Sequence, residues 1–389
     1  MKKVLFLLWL LSILTCCNQN SNKLPEYMLK ELNIDDSPVY MCQEKNVEFI
    51  DLNGAFGNDY LSIDDLLDTL YVVSLQTTDD NVFYGIAKIE MCDDRIFIED
   101  QDDRILVFDN NGKFINKLNQ GQGPGEIFDL YDFSFDETTQ HLVVTQPDLV
   151  SIYDKDGVFI ESKYCPIVNW EFSAVEWGYV FFAPKFVNID LGDNAKHSVL
   201  VTDKSIKVIG KGIGLPQAEG FVRCMPYMYK SDGNVIVSQP GNDTIFELSD
   251  SQISAKYVLN FSTEEINVRS PEEVTNSSKY YHSSGFMENN KTQFFHFRSA
   301  KSGSYTVLRD KNTKQTLGAA HFMSSPEVVP LYCVNIMDVY NDYFVSYMNP
   351  YNNMHFNSPK IAKEDNDKIA NLTEEDNAVI IFFKIKDLK

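Results

Sequence analysis

Apolar and polar positions alternate along this chain in short runs, and one arrangement of runs is written twice between residues 95 and 164. The first copy has Ile96-Phe97-Ile98, a polar break, and Ile105-Leu106-Val107-Phe108. A turn follows at Asp109-Asn110-Asn111-Gly112, then Lys113-Phe114-Ile115. The second copy has Leu142-Val143-Val144, a break at Gln146-Pro147-Asp148, and Val150-Ser151-Ile152-Tyr153. Its turn is Asp154-Lys155-Asp156-Gly157, followed by Val158-Phe159-Ile160. Short alternating runs bounded by turn residues read as strands. The two turn glycines stand 45 residues apart, the period of a β-propeller blade.

Weaker copies follow downstream. Gly178-Tyr179-Val180-Phe181-Phe182 opens a third, Gly233-Asn234-Val235-Ile236-Val237 a fourth, Gln293-Phe294-Phe295-His296-Phe297 a fifth, and Tyr343-Phe344-Val345-Ser346-Tyr347 a sixth. Six openings over residues 71–389 correspond to about 53 residues per unit, which leaves room for inserted loops. An early strand, Leu70-Tyr71-Val72-Val73-Ser74-Leu75, is expected to complete the blade begun by the C-terminal strands, among them Val379–Ile385. Such closure removes a sheet edge that would otherwise recruit other chains. Ser270-Pro271-Glu272-Glu273 is a helix-start signal, and residues 361–375 read as an exposed, partly helical excursion. The expected fold is all-β: a six-bladed β-propeller with short helical insertions, over residues 61–389.

Composition narrows the class. The chain has 389 residues, 44% of them apolar, enough for a sizeable core. Its net charge of −22 argues against a nucleic-acid partner, because 34 Lys and Arg cannot assemble a basic face against 56 Asp and Glu.

The N-terminus is distinct. Two lysines precede an apolar run over residues 4–14, too short for a membrane span of roughly 20 residues and fitting a signal peptide. The run ends in Leu14-Thr15-Cys16-Cys17, which resembles a bacterial lipobox. Cys17, with Leu14 at −3, is the better anchor, and Cys16 is the alternative. The expected organisation is a lipoprotein signal peptide over residues 1–16, a tether and lead-in over residues 17–60, and then the propeller. Cys42, Cys92, Cys165, Cys224 and Cys333 form no CxxC pair, so they read as mostly buried apolar residues rather than zinc ligands.

Four stretches resemble the six-bladed β-propeller lipoproteins of Gram-negative gut bacteria, which are similar in shape to NHL-repeat propellers. They are Leu75-Gln76-Thr77-Thr78-Asp79-Asp80; Arg95-Ile96-Phe97-Ile98 with Val107-Phe108-Asp109 and Gly112-Lys113-Phe114; Gly121-Gln122-Gly123-Pro124-Gly125-Glu126; and Thr373-Glu374-Glu375-Asp376-Asn377-Ala378-Val379. Ala378 stands where that family has Pro, and residues 165–230 match poorly. The resemblance implies an outer-membrane lipoprotein of the cell envelope, periplasmic or surface-facing. It implies no particular chemistry, since members of that family are mostly without a known activity.

Candidate chemistry is sparse. The glycine run at 121–126 lacks the Lys-Ser or Lys-Thr of a phosphate loop, and Glu126 would repel phosphate. It reads as an inter-blade turn, with a ligand site at the channel mouth as the sharper alternative. Neither Asp-x-x-Gly turn carries the ligand set of a calcium loop. Asp100, Asp102 and Asp103 read as solvated acids. The histidines show no HExxH spacing, and no G-x-S-x-G elbow occurs.

The first functional reading is therefore a non-enzymatic binding or scaffold module for a glycan, peptide or partner protein, held at the membrane by lipid. Its candidate contacts are Gly121, Gly123, Gly125 and Glu126 at the rim, with Trp170 and Trp177 as stacking residues. The rival is a propeller hydrolase or lyase with a metal in the central channel, as in lactonase-like propellers. It needs acids or imidazoles converging from several blades, and the sequence names neither a metal ligand nor a cofactor.

Overall fold

In the computed structural model the chain is described over residues 24–183, 187–214, 227–239, 242–250, 252–261, 281–283, 285–299, 303–323, 336–350, 367 and 369–388. Six small antiparallel sheets follow one another in a ring and form a six-bladed β-propeller. Blade 1 runs outward from Ile86–Cys92 through Arg95–Asp100 and Ile105–Asp109 to Phe114–Lys117. Blade 2 repeats the order with Asp132–Asp136, His141–Gln146, Leu149–Asp154 and Phe159–Tyr164. Blade 3 is Glu171–Val175, Gly178–Phe182, His197–Thr202 and Val208–Gly214. Blade 4 is Tyr227–Ser231, Asn234–Ser238, Thr244–Ser249 and Gln252–Asn260.

Blade 5 has a divided inner strand, Tyr281–His282 and Met287–Glu288, both paired with Thr292–Ser299. Gly303–Asp310 and Thr316–Ala319 complete it. Blade 6 is Asp338–Tyr340, Tyr343–Met348 and Val379–Ile385, with Leu67–Ser74 as its outer strand. Ile381 lies opposite Val72 and Phe382 opposite Tyr71 in that last pair. The early strand thus closes the ring, as the alternation at residues 70–75 predicts.

The turn chemistry explains the repeat. Asp109 Oδ1 accepts hydrogen bonds from the backbone N–H of Asn111 and Lys113, both at 2.9 Å. Asp154 does the same for Asp156 and Val158. Gly112 takes φ +81°, and a Cβ there would sit 2.2 Å from the carbonyl of Ser74 on the neighbouring blade. A register shift recurs between the third and outer strands of blades 1 to 4, and such bulges increase local twist.

Between blades the core is apolar. Tyr71 stacks on Phe382 at 4.4 Å within blade 6. Across the seam of blades 5 and 6, Phe294 meets Phe344 edge-on at 4.6 Å. The side chains of Phe344 and Phe383 are wholly buried there.

Residues 24–60, expected as tether and lead-in, are built into the body from Leu24 onward. The helix Glu26–Glu31 sets Leu29 in one core with blade 3, joined by Leu32 and Ile34 just beyond it. Cys42–Gln43 and Glu48–Asp51 then add parallel to the outer strand of blade 4, and Tyr60–Ser62 pairs with His321–Met323 after blade 5. Polar locks hold this belt. Lys211 Nζ donates to the carbonyl of Ile34 at 2.6 Å, and Arg309 reaches Glu48 at 2.6 Å. The belt covers outer edges that would otherwise be open. The signal peptide, Cys16 and Cys17, the helix signal at Ser270, and Cys224 and Cys333 lie outside the described residues. Cys92 and Cys165 are buried as expected, whereas Cys42 is exposed on the belt.

Candidate functional site

The inner strands of the blades line a central cavity of about 640 Å³. Lys88, Glu90, Asp132, Glu171, Lys230 and Asp338 all project from them into or beside this space. None of these six was singled out from the sequence, because charged residues inside a buried strand break the alternation used to find strands.

Their geometry follows one rule. Glu90 of blade 1 accepts from the backbone N–H of Phe135 in blade 2 at 2.7 Å. Asp132 of blade 2 accepts from that of Phe172 in blade 3 at 2.6 Å. Glu171 of blade 3 accepts from that of Met228 in blade 4 at 2.6 Å. Asp338 of blade 6 accepts from that of Met91 in blade 1 at 3.0 Å. The N–H groups at the channel edge of these inner strands have no further strand to pair with, and the carboxylate next door satisfies them. Four of the seams are stitched in this way.

Two lysines balance the acids. Lys88 Nζ lies 2.7 Å from Asp132 and donates to the carbonyl of Phe133. Burial works against its charge, but Asp132 and Glu90 outweigh burial and hold its pKa above the ordinary range. Lys230 of blade 4 reaches Glu90 of blade 1 at 2.6 Å, across the full bore, and touches the carbonyl of Phe135. Burial pushes Glu90 up, yet Lys230 and Lys88 together bring it below its usual value.

Four carboxyls go the other way, and Asp132 is one of them, because burial outweighs the opposing charge of Lys88. Burial, with Asp132 beside it, raises Glu171 well above the carboxylate range. Burial and the nearby charge of Glu90 bring Asp338 to about 7. Glu99, opposite Lys88 in the second strand of blade 1, is pushed to about 8 by burial and by Asp132.

The residues expected at the site separate. Trp170 lies just before the inner strand of blade 3, half-buried, and lines the cavity with Tyr131 and Glu99. Trp177 sits in the hairpin at the other end of that strand, a rise of roughly 17 Å away. Its indole N–H donates to the carbonyl of Gly233 at 3.3 Å, which ties blade 3 to blade 4.

Gly121, Gly123, Gly125 and Glu126 lie over the seam of blades 1 and 2, away from the cavity lining. Glu126 folds back under its own loop and accepts from the Gly123 N–H at 2.8 Å. A Cβ at Gly121 would stand 2.1 Å from that carboxylate, and one at Gly125 would stand 2.5 Å from the Phe159 ring. The loop is thus an inter-blade turn braced by its own acid. Asp100, read as solvated, is instead buried and clamped by Arg104 Nε at 2.7 Å. Asp102 and Asp103 are exposed. Among the described residues no group of three or more His, Cys, Asp or Glu side chains is placed to hold a metal ion. Among them, too, no helix is long and apolar enough to cross a membrane.

One solved structure supports the architecture, and two more distant ones are similar over much of the chain. A crystal structure from Bacteroides fragilis, whose name calls it an exported protein, superposes with a TM-score of 0.68 at 20% identity, over 87% of this chain and all of that one. A member of the duf4221 family from Bacteroides vulgatus gives a TM-score of 0.46 at 11% identity, covering 83% of this chain and 98% of that one. BamB from Moraxella catarrhalis gives 0.39 at 10% identity, over 65% and 68%. No curated protein matches the chain. The family model described as "Domain of unknown function (DUF4934)" matches residues 47–384, from the belt to the closing strand, and the chain belongs to that family.

Proposed function

We propose that the protein is a lipoprotein of the cell envelope, anchored at the outer membrane through Cys17, whose propeller is a non-enzymatic binding or scaffold module for a glycan, peptide or partner protein. One observation carries this reading. Four acids of the channel, Glu90, Asp132, Glu171 and Asp338, are committed to backbone N–H groups of the next blade, and Lys88 and Lys230 to acids among them. Groups held this way give a stiff, concave surface, which is what a binding face requires. Trp170, Tyr131 and Glu99 supply aromatic and polar contacts at one end of it.

A screen of glycans and peptides against the purified full-length protein tests this. Trp170→Ala should weaken a hit at least about tenfold without lowering the melting temperature, by loss of one stacking contact. Trp177→Ala should leave the affinity unchanged. Hits indifferent to Trp170→Ala and Glu99→Gln would remove the channel end as the site. Cys17→Ala should release the protein into the soluble fraction. Release by Cys16→Ala in its place would move the anchor by one residue.

Glu99 favours the rival hydrolase or lyase reading, because a carboxyl that titrates near 8 is suited to proton transfer at neutral pH. That reading needs a stoichiometric metal in the purified protein, and elemental analysis decides it.

A further inference from the structure

We propose that the margin of blades 2 and 3 where the belt begins is a lipid-docking surface, resting on the interfacial region of the bilayer that holds the anchor. The proposal rests on the reading that Cys17 carries the lipid. Five large apolar side chains are exposed on this margin: Ile189 (66%), Tyr27 (59%), Tyr164 (47%), Leu149 (37%) and Val187 (36%). They form a connected surface. Leu149 stands opposite Tyr164 across the outer strand pair of blade 2. The Tyr164 hydroxyl donates to Met28 Sδ at 3.4 Å, next to Tyr27. The Leu24 N–H donates to the Asp190 carbonyl at 3.2 Å, beside Ile189. The core packing of Leu29, Leu32 and Ile34 fixes the short helix in place.

The occupant follows from the length of chain between anchor and body. Residues 18–23 separate Cys17 from Leu24. Fully extended at 3.3–3.6 Å per residue, that chain reaches at most roughly 25 Å. A domain of this size is roughly 50 Å across. The leash is therefore shorter than the body, and the body cannot turn its far side to the membrane. The surface beside Leu24 stays within roughly 25 Å of the bilayer whether or not it binds it, and that surface carries tyrosines and aliphatic side chains. Tyrosine favours the headgroup level, where its ring is in contact with lipid and its hydroxyl with water. A chain of net charge −22 gains nothing from anionic headgroups, so the attraction is apolar and works on zwitterionic lipid.

Hydroxyl-radical footprinting reads side-chain exposure directly. The acylated full-length protein is labelled on phosphatidylethanolamine–phosphatidylcholine vesicles, and the Cys17→Ala protein in buffer. Labelling of Tyr27, Tyr164 and Ile189 should fall at least about fivefold on vesicles, as for a surface withdrawn from water. Phe49 and Val158, exposed elsewhere, should not change. Ile189→Asp should melt as wild type and still float with vesicles, yet regain Tyr27 labelling. Unchanged labelling of a protein that floats overturns the docking surface and leaves the lipid anchor standing. A protein that neither floats nor carries an acyl mass overturns the anchor, and the docking surface with it. Protection of the Cys17→Ala protein that grows with its concentration, without vesicles, assigns the patch to a second copy and overturns the proposal.

Discussion

Inner and outer strands of the same blades meet their neighbours by different physics. At the axis the sheets converge, and a single carboxylate spans from one strand to the next blade's backbone, as Glu90 does to Phe135. Further out the sheets diverge and large rings fill the wedge, as Phe294, Phe344 and Phe383 do between blades 5 and 6. The outer contacts are non-directional and add with area. The inner ones are directional, and each leaves a buried charge or an orphan N–H if its partner is removed. Stability is thus expected to tolerate shape-conserving changes outside and to resist them inside.

Loss of the whole closing strand tests the outer wall most severely. Deleting Val379–Ile385 uncovers Leu67–Ser74 and Tyr343–Met348 together, and should replace a cooperative melting transition by aggregation. A truncated protein that melts as wild type would contradict ring closure. Point changes then separate the two regions. Phe383→Ala should cost about 3–5 kcal/mol, while Phe383→Leu, which keeps most of the volume, should cost far less. Asp132→Leu has no such mild version. It takes from Lys88 its nearest counter-ion, orphans the Phe172 N–H, and should cost about 3 kcal/mol or more in chemical denaturation. Equal tolerance of leucine at both positions would erase the distinction.

A pH titration of the inner region gives a smaller effect with a definite sign. Asp338 rises from 3.8 to about 7 in the folded state and Glu99 from 4.5 to about 8, chiefly through burial. Both folded values exceed the unfolded ones, so the folded chain binds more protons in this window, and these two groups lower stability as pH rises from about 4 to 8. Glu90 works oppositely, and its contribution is lost as pH falls through its depressed value. Glu99→Gln should therefore melt higher than wild type at pH 8 and equally at pH 4. A melting temperature that climbs steadily to pH 8 in Glu99→Gln and wild type alike would refute this. The smallest effect belongs to the surface loop. Glu126→Ala removes one hydrogen bond to Gly123 and should cost about 1 kcal/mol or less.

The same division governs what the sequence makes legible. The second and third strands of blades 1 and 2 are apolar, and an Asp-x-x-Gly turn joins each third strand to the outer one, so number and spacing of blades follow from the pattern. The runs at Gly178, Asn234, Gln293 and Tyr343 were expected to open blades. They are the second strands. The true inner strands lose their alternation: those of blades 3 and 6 carry the stitching acids Glu171 and Asp338, that of blade 4 carries Lys230, and that of blade 5 is divided. The turn of blade 3 hid for a related reason. Asp203 Oδ1 accepts from Ser205 and Lys207 as its counterparts do, but Ile206, at φ 66°, stands where the first two copies have glycine. The belt was missed because its pairing partners are more than 150 residues away in the chain, beyond any local signal. Trp170 was picked for its poorly matching surroundings, and it lines the cavity. The glycine run was picked as a rim, and its own acid holds it as a turn.

The ion pair between Lys230 and Glu90 has a topological consequence. Blades 1 and 4 stand on opposite sides of a six-membered ring, so this contact is a spoke and the ring is a braced wheel. A polymer cannot be threaded through a wheel whose hub is crossed. On the proposed binding reading, a long glycan or peptide would be held by an end or a local loop of its chain rather than encircled. A spoke also ties opposite rims: widening either neighbouring seam strains a contact anchored on the blade across the axis.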